Sequence, residues 1–191
     1  MTTRNPVPQA THPTDAATTA GVQAKMLAVL RIATGLVFLW AFLDKLIGLG
    51  YATTSDRAWI NGGSPTKGFL SGVEVGPFDT AFQAIAGAWW ANWLFMLGLA
   101  GVGIAVTLGI GLRVSAIAGS VMMLMMWLAE FPLDRFTAAG EPSMSTNPLI
   151  DYHVIYAIAL IVAAVTYAGD TWGLGRQWAA LPFVQRRHWA I

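Results

Sequence analysis

The sequence predicts an all-α membrane protein, a four-transmembrane-helix bundle with an interfacial helix in its first extracytoplasmic loop. Three observations lead there. Four apolar stretches, Lys25–Leu49, Asn92–Leu112, Val114–Leu133 and Pro148–Gly169, run through the chain. Each holds about 20 residues or more, enough for a helix to cross a hydrocarbon core of about 30 Å. Hydrophobic residues make up 55 % of the 191 positions and charged residues only 11 %, where a soluble domain carries about 25 % charged. Mean hydropathy is +0.56.

Taken in order, residues 1–24 are rich in Thr, Pro and Ala without apolar periodicity, and are expected to form a disordered cytoplasmic tail. No cleavable signal pattern precedes the first span, so a retained signal-anchor is expected. Residues 25–170 form the four-helix transmembrane domain. The first connection is long, Tyr51–Trp90. Its opening half, Ile60 to Lys67, has strong turn chemistry. Its closing half places Phe78, Phe82, Ile85, Ala86, Trp89 and Trp93 at helical spacing, which predicts an amphipathic helix in the outer interface with Trp89, Trp90 and Trp93 at headgroup depth. The second connection, around Arg113, is short enough to make spans two and three a tight antiparallel hairpin. Pro132 should kink or end the third helix. Asn147 and Pro148 read as N-cap and first-turn residue of the fourth. Residues 171–191, with Trp172, Trp178 and Trp189, form an interfacial C-terminal segment. Gly101, Ala105 and Gly109, and separately Ser115 and Gly119, repeat at four-residue spacing and predict close helix contacts.

Lys and Arg placement sets orientation. With the N-terminus inside, Arg4, Lys25, Arg31, Arg113, Arg176, Arg186 and Arg187 fall on the cytoplasmic side and Lys45, Arg57, Lys67 and Arg135 outside. Seven against four gives a multi-pass protein of the cell membrane, N-in and C-in.

Composition also excludes functions. Net charge is +1, so no nucleic-acid partner is expected. Cysteine is absent, which removes disulfides, thiolate metal sites, Cys-held iron–sulfur clusters and a thiol relay within the chain. His12 and His188 lie in the terminal segments, leaving His153 alone beside a span, so no bis-histidine haem and no metal site are expected.

Ionisable groups at the helices are expensive and therefore informative. Arg31 and Lys45 lie on one face of the first helix with Gly35, Phe38 and Phe42. Either they snorkel to opposite surfaces, or they form a cationic stripe able to hold an anion or polarise a quinone carbonyl. On the third helix Met123, Trp127 and Glu130 share a stripe. Glu130 is a partner for Lys45, as a bundle-fixing ion pair or as a proton acceptor. Met122, Met123, Met125 and Met126 read as packing. Asp151 is placed in the first turn of the fourth helix, where the dipole favours a carboxylate. His153, whose side-chain type titrates near neutrality, is either a hydrogen-bonded structural histidine or, if functional, the best proton-transfer candidate. Two helical residues two apart point about 200° apart, so Asp151 and His153 are not expected to share a face. Asp44 and Asp134 complete the acidic set, as structural or proton-relay groups. Tyr152 and Tyr156 read as belt residues. Lys67 and the preceding Gly62-Gly63-Ser64-Pro65-Thr66 form a plain turn or an anion cup built from backbone N–H groups.

Several of these segments resemble a known family. Arg31-Ile-Ala-Thr-Gly35-Leu-Val-Phe38 followed by Asp44-Lys45-Leu46 resembles the first helix of DoxX- and DoxD-like membrane proteins. Ala58-Trp-Ile-Asn-Gly-Gly-Ser-Pro-Thr-Lys-Gly-Phe-Leu70 is similar to a loop of the thiosulfate:quinone oxidoreductase large-subunit branch. Leu108-Gly-Ile-Gly-Leu-Arg113 and Asn147-Pro-Leu-Ile-Asp151-Tyr-His153 extend the likeness over about residues 25–180. The resemblance implies a membrane subunit that passes electrons from thiosulfate to a quinone, giving tetrathionate, together with a small partner subunit or in a homo-oligomer. Physical assignment onto the matched positions makes Lys45, Lys67 and Arg31 substrate-binding and gives Glu130 and His153 the quinone's protons. Two alternatives stay open: a non-enzymatic membrane scaffold of a redox or stress-response complex, and a carrier of a small hydrophobic molecule.

Overall fold

The first helix, α1 (Pro13–Ile47), is 35 residues long, about 52 Å at the helical rise. The computed structural model describes residues 13–143, 145 and 147–187, with side chains from residue 18. Of the tail expected over residues 1–24, residues 1–12 lie outside the described residues, and 13–24 are helical. The correction has a local cause. Ala16, Ala17, Ala20, Gln23 and Ala24 are good helix formers, and extending an existing helix avoids the cost of nucleation. Pro13 suits a first helical turn, where its missing N–H has no intrahelical role.

After α1 the chain makes two 3₁₀ turns, Ser55–Arg57 and Trp59–Asn61. Two short helices follow, α2 (Lys67–Leu70) and α3 (Asp79–Ile85). The single amphipathic helix expected from Phe78 to Trp93 is therefore two pieces. Gly87 at φ +80° interrupts it, and Trp89, Trp90 and Trp93 belong to the next helix, α4 (Trp89–Leu108). Phe82 of α3 is buried with Val73 against Ala129 rather than facing outward. The loop thus sits on the end of α5 (Leu112–Glu130). Asn92 pins its middle. The Asn92 Oδ1 accepts from Ser64 Oγ at 3.1 Å, Thr66 N–H at 3.0 Å and Thr66 Oγ1 at 2.7 Å.

Only Gly109, Ile110 and Gly111 separate α4 from α5, the tight hairpin the sequence predicts. α5 stops at Glu130. Phe131 adopts φ +39°, and Pro132 behind it disfavours helical geometry in the residue it follows. The fourth apolar helix, α6 (Tyr152–Val165), is 14 residues long and starts later than Asn147 suggests. Asn147 Oδ1 instead accepts the N–H groups of Leu149 and Ile150, both at 3.0 Å, closing a turn before the helix. A 3₁₀ turn at Ala168–Asp170 leads into α7 (Gly175–Ala179) and α8 (Pro182–Gln185). Leu174 N–H donates to Leu108 O at 2.8 Å and ties this segment to the end of α4. Trp189 lies outside the described residues.

Among the described residues no named strand occurs, and the protein is all-helical. α1, over Thr18–Ile47, α4 and α5 are each long and apolar enough to cross a membrane; α6 is apolar but shorter. The four pack as a ring in which α1 meets α4, α4 meets α5, α5 meets α6 and α6 returns to α1. Phe38, Leu99, Val102, Val106, Met123 and Leu160 meet at its centre. Leu94, Leu97, Ile117, Leu124, Ile155 and Val165 face outward, as helices bathed in lipid require.

Close contact between α1 and α4 depends on two glycines. A Cβ on Gly35 would lie 2.5 Å from Thr107 Oγ1, and one on Gly103 would lie 2.7 Å from Leu39 N. Gly119 meets Leu160 as the sequence predicts, but Gly101 has open space beside it. The close approach on α4 falls on Gly103, two positions along and hence on the opposite side of the helix.

Candidate functional site

The end of α5 and the start of α6 bring four side chains of unusual chemistry together. Asp151 is the N-cap of α6. Its backbone is extended, at φ −101° and ψ −172°, so its carboxylate folds back over the first turn. Oδ1 accepts Val154 N–H at 3.2 Å, and Oδ2 lies 2.7 Å from His153 Nδ1. The expectation that these two residues point apart is therefore corrected. The 200° rule holds between two helical residues, and an N-cap is not one. His153 is 1 % exposed. Glu130 closes α5; its Oε1 accepts the Tyr152 hydroxyl at 2.6 Å, and its Oε2 lies 4.0 Å from His153 Nδ1. The Tyr152 ring covers the imidazole with centroids 4.0 Å apart. Glu130 is 36 % exposed and is the open end of the cluster.

Ligand-type atoms of Glu130, Asp151 and His153 fall within 4.8 Å of one another. Both oxygens of Asp151 and Oε1 of Glu130 are committed to the bonds just described. The set is thus two hydrogen-bonded pairs, Glu130 with Tyr152 and Asp151 with His153, and Glu130 Oε2 lies 4.0 Å from the imidazole.

Behind the imidazole lies a cavity of about 280 Å³ between α5 and α6. Ser120, Met123, Leu124 and Trp127 line it from α5, His153, Val154 and Ala157 from α6, and Leu149 from the preceding turn. Residues 120, 123, 124 and 127 follow helical spacing and present one face. Leu124 and Leu149 are exposed on the outer surface and mark the mouth. Three polar atoms on these residues are buried without a partner: Ser120 Oγ, Trp127 Nε1 and His153 Nε2. An unpaired buried polar group costs about 1–3 kcal/mol, and three such groups belong to residues that line this one apolar cavity. Their hydrogen-bonding roles differ. Trp127 only donates, Ser120 donates and accepts, and a neutral His153 whose Nδ1–H is held by Asp151 accepts at Nε2.

The remaining candidates lie elsewhere. Arg31 is fully buried and neither snorkels nor opens onto a pocket. Its guanidinium donates to the carbonyls of Val106 at 2.6 Å, Thr107 at 2.5 Å, Ala168 at 3.1 Å and Trp172 at 2.9 Å, with Thr171 at 3.5 Å. It clamps the end of α4 to the turn after α6, and its donors are occupied. Gly109 leaves room for it, since a Cβ there would lie 3.1 Å from Arg31 Nη1. Asp44 is buried and accepts the N–H groups of Tyr51 at 3.3 Å and Ala52 at 3.1 Å, closing the turn after α1. Lys45 is half-buried next to it. Among the described residues, the ion pairs within 4.0 Å are those of His153 with Asp151 and with Glu130, and Lys45 is in neither. Lys67 is exposed. In its loop the N–H groups of Gly62, Gly63, Thr66 and Lys67 are bonded within the protein, which leaves them unavailable to cup an anion. Asp134 lies beyond the left-handed Phe131; its carbonyl accepts Ser143 Oγ at 2.6 Å and fixes the loop. His12 and His188 lie outside the described residues.

Three contributors escaped the sequence analysis as functional residues. Trp127 was visible in the stripe that contains Glu130. Tyr152 carried only a belt signature. Ser120 carried no signal at all, because a lone serine in an apolar helix is common.

Comparisons with protein-family models, with curated proteins and with solved structures found no match.

Proposed function

We propose that this chain is a four-span, quinone-binding subunit of a membrane oxidoreductase, seated N-in and C-in in the cell membrane. The observation that carries the reading is the α5–α6 cavity, apolar in its walls, whose lining residues Ser120, Trp127 and His153 each carry an unpartnered buried polar atom. A quinone headgroup is a flat ring with two oxygens, and such a cavity answers both features. At about 280 Å³ the space suits one ring, with an isoprenoid tail leaving between Leu124 and Leu149 into lipid. The four-span count rests on length. The 14 residues of α6 give about 21 Å, most of the roughly 30 Å of the hydrocarbon core, and the apolar turn before it, residues 148–150, extends the segment.

The electron donor is drawn from the resemblance to the thiosulfate:quinone oxidoreductase branch of DoxX- and DoxD-like proteins. Thiosulfate is a dianion, and Lys67 and Lys45 at the outer end supply positive charge to recruit it. Electrons then reach the cavity with the help of a small partner subunit, because a chain without cysteine has no thiol to relay them. Within the cavity, His153 and Asp151 handle the proton and Trp127 and Ser120 hold an oxygen.

The test is saturable binding of decylubiquinone to the full chain in nanodiscs. Trp127→Phe and Ser120→Ala each remove one polar atom and should weaken binding about tenfold, the equivalent of about 1.4 kcal/mol. Equal affinity in both variants and the parent overturns the assignment of the cavity. Binding without thiosulfate-dependent reduction, in membranes that contain the partner subunit, favours a carrier.

A further inference from the structure

We propose that the Asp151–His153 pair makes this cavity choose between the two redox forms of its guest through one proton, holding quinol against neutral His153 and quinone against its imidazolium. The inference rests on the quinone reading and goes beyond it. It starts from donor and acceptor counts. The Asp151 carboxylate, 2.7 Å from Nδ1, keeps a proton on that nitrogen. In the neutral ring Nε2 is then a bare lone pair, buried and unpartnered, on a residue that lines the cavity. A quinol hydroxyl donates to it and satisfies it. A quinone oxygen has only lone pairs, and set against a lone pair it repels. The oxidised guest is accommodated once Nε2 carries a proton. The imidazolium is then stabilised by Asp151 at 2.7 Å and Glu130 at 4.0 Å.

The titratable groups that face His153 are known from each side. Asp151 and Tyr152 belong to its own turn and helix, and Glu130 comes from α5. From α1, no group lies within 4.0 Å of it as an ion pair among the described residues. Tyr156, one turn on, is directed to Phe38 of α1. Trp127 and Ser120 do not change charge in the ordinary pH range.

Reduction balances as follows. Two thiosulfate dianions join through a new S–S bond to give one tetrathionate dianion and release two electrons. The bound quinone takes both electrons, one proton from His153 Nε2 at its near oxygen, and one proton from a solvent hydronium, which becomes water, at its far oxygen. Quinol and neutral imidazole result. The hydroxyl just formed donates back to the nitrogen that supplied its proton.

The experiment measures the affinity of the full chain in nanodiscs for decylubiquinone and, under anaerobic conditions, for decylubiquinol, across pH 5 to 9. Quinone binding takes up a proton, so its affinity is full at low pH and falls as pH rises, by up to about tenfold per unit. Quinol affinity runs the other way and falls as pH drops. Asp151→Asn gives the sharpest check. Asparagine keeps the N-cap oxygen for Val154, but its NH₂ donates to Nδ1 and forces the proton onto Nε2, the tautomer reversal known when a histidine's supporting carboxylate becomes an amide. In this variant quinone binding should lose its pH dependence and quinol binding should weaken at neutral pH. Parallel pH profiles for the two forms in the parent protein, or an unchanged profile in Asp151→Asn, overturn the proton-coupled selection while leaving the quinone site standing. No saturable binding of either form at any pH overturns both.

Discussion

Removing the Arg31 guanidinium should cost this protein a large part of its stability. Four of its N–H···O bonds, to Val106, Thr107, Ala168 and Trp172, are no longer than 3.1 Å. Each joins a cation to a backbone carbonyl, and one of the four, Val106 O, also accepts the Gly109 N–H at 3.2 Å. At about 1 kcal/mol net for each bond the loss comes to about 4 kcal/mol. The geometry supports a loss of that size, since the clamp spans 75 residues to Val106 and 141 to Trp172, and nothing local replaces it. Arg31→Met keeps the apolar stem and removes the donors. Arg31→Lys keeps the charge but offers a single point where a planar fork had reached four carbonyls, and should recover less than half of the loss. Equilibrium unfolding in mixed micelles, followed by circular dichroism, reads both. The carbonyls sit at the end of α4 and the turn after α6, so amide exchange should rise first in residues 166–175. If Arg31→Met unfolds within about 0.5 kcal/mol of the parent, an ordinary surface-substitution effect, the clamp carries no energy and the reasoning is refuted.

Three further outcomes follow from contacts already described. Gly103→Val places a branched side chain where Leu39 backbone lies 2.7 Å from the first added carbon, and should separate α1 from α4 at a cost of about 3 kcal/mol or more, read by the same unfolding assay. Asn92→Ala removes an acceptor shared by Ser64 and Thr66, and should speed proteolysis of residues 60–70 while leaving the helices folded. Tyr152→Phe removes the hydroxyl that holds Glu130; a loss of about 1 kcal/mol in stability is expected, seen as a lower unfolding midpoint.

Much of this arrangement was legible in the sequence, for reasons tied to particular residues. Apolar length revealed α1, α4 and α5, and the short break near Arg113 revealed the hairpin, although the turn itself falls at residues 109–111 and Arg113 lies inside α5. Pro132 marked the end of α5, because proline acts on its neighbour through covalent geometry alone. Glu130 and His153 stood out since charge and imidazole are rare beside apolar helices. What escaped depended on backbone. The role of Arg31 is written in carbonyls, and every residue has one, so no side-chain pattern names its partners. The Asp151–His153 contact was hidden by treating both residues as helical, whereas the N-cap geometry of Asp151 lets its carboxylate reach back. The split between α3 and α4 was available in Gly87, but the aromatic spacing on either side masked it. The cavity could not be read at all, because it is the space left between Trp127 and His153 once two helices pack, and sequence records only what fills space.

The central claim is that a quinone occupies the α5–α6 cavity, and photo-labelling tests it most directly. An azido-quinone irradiated with the full chain in nanodiscs should label residues 120–127 and 149–157, and excess decylubiquinone should prevent it. Label confined to other helices, or label that the competitor leaves unchanged, contradicts the account.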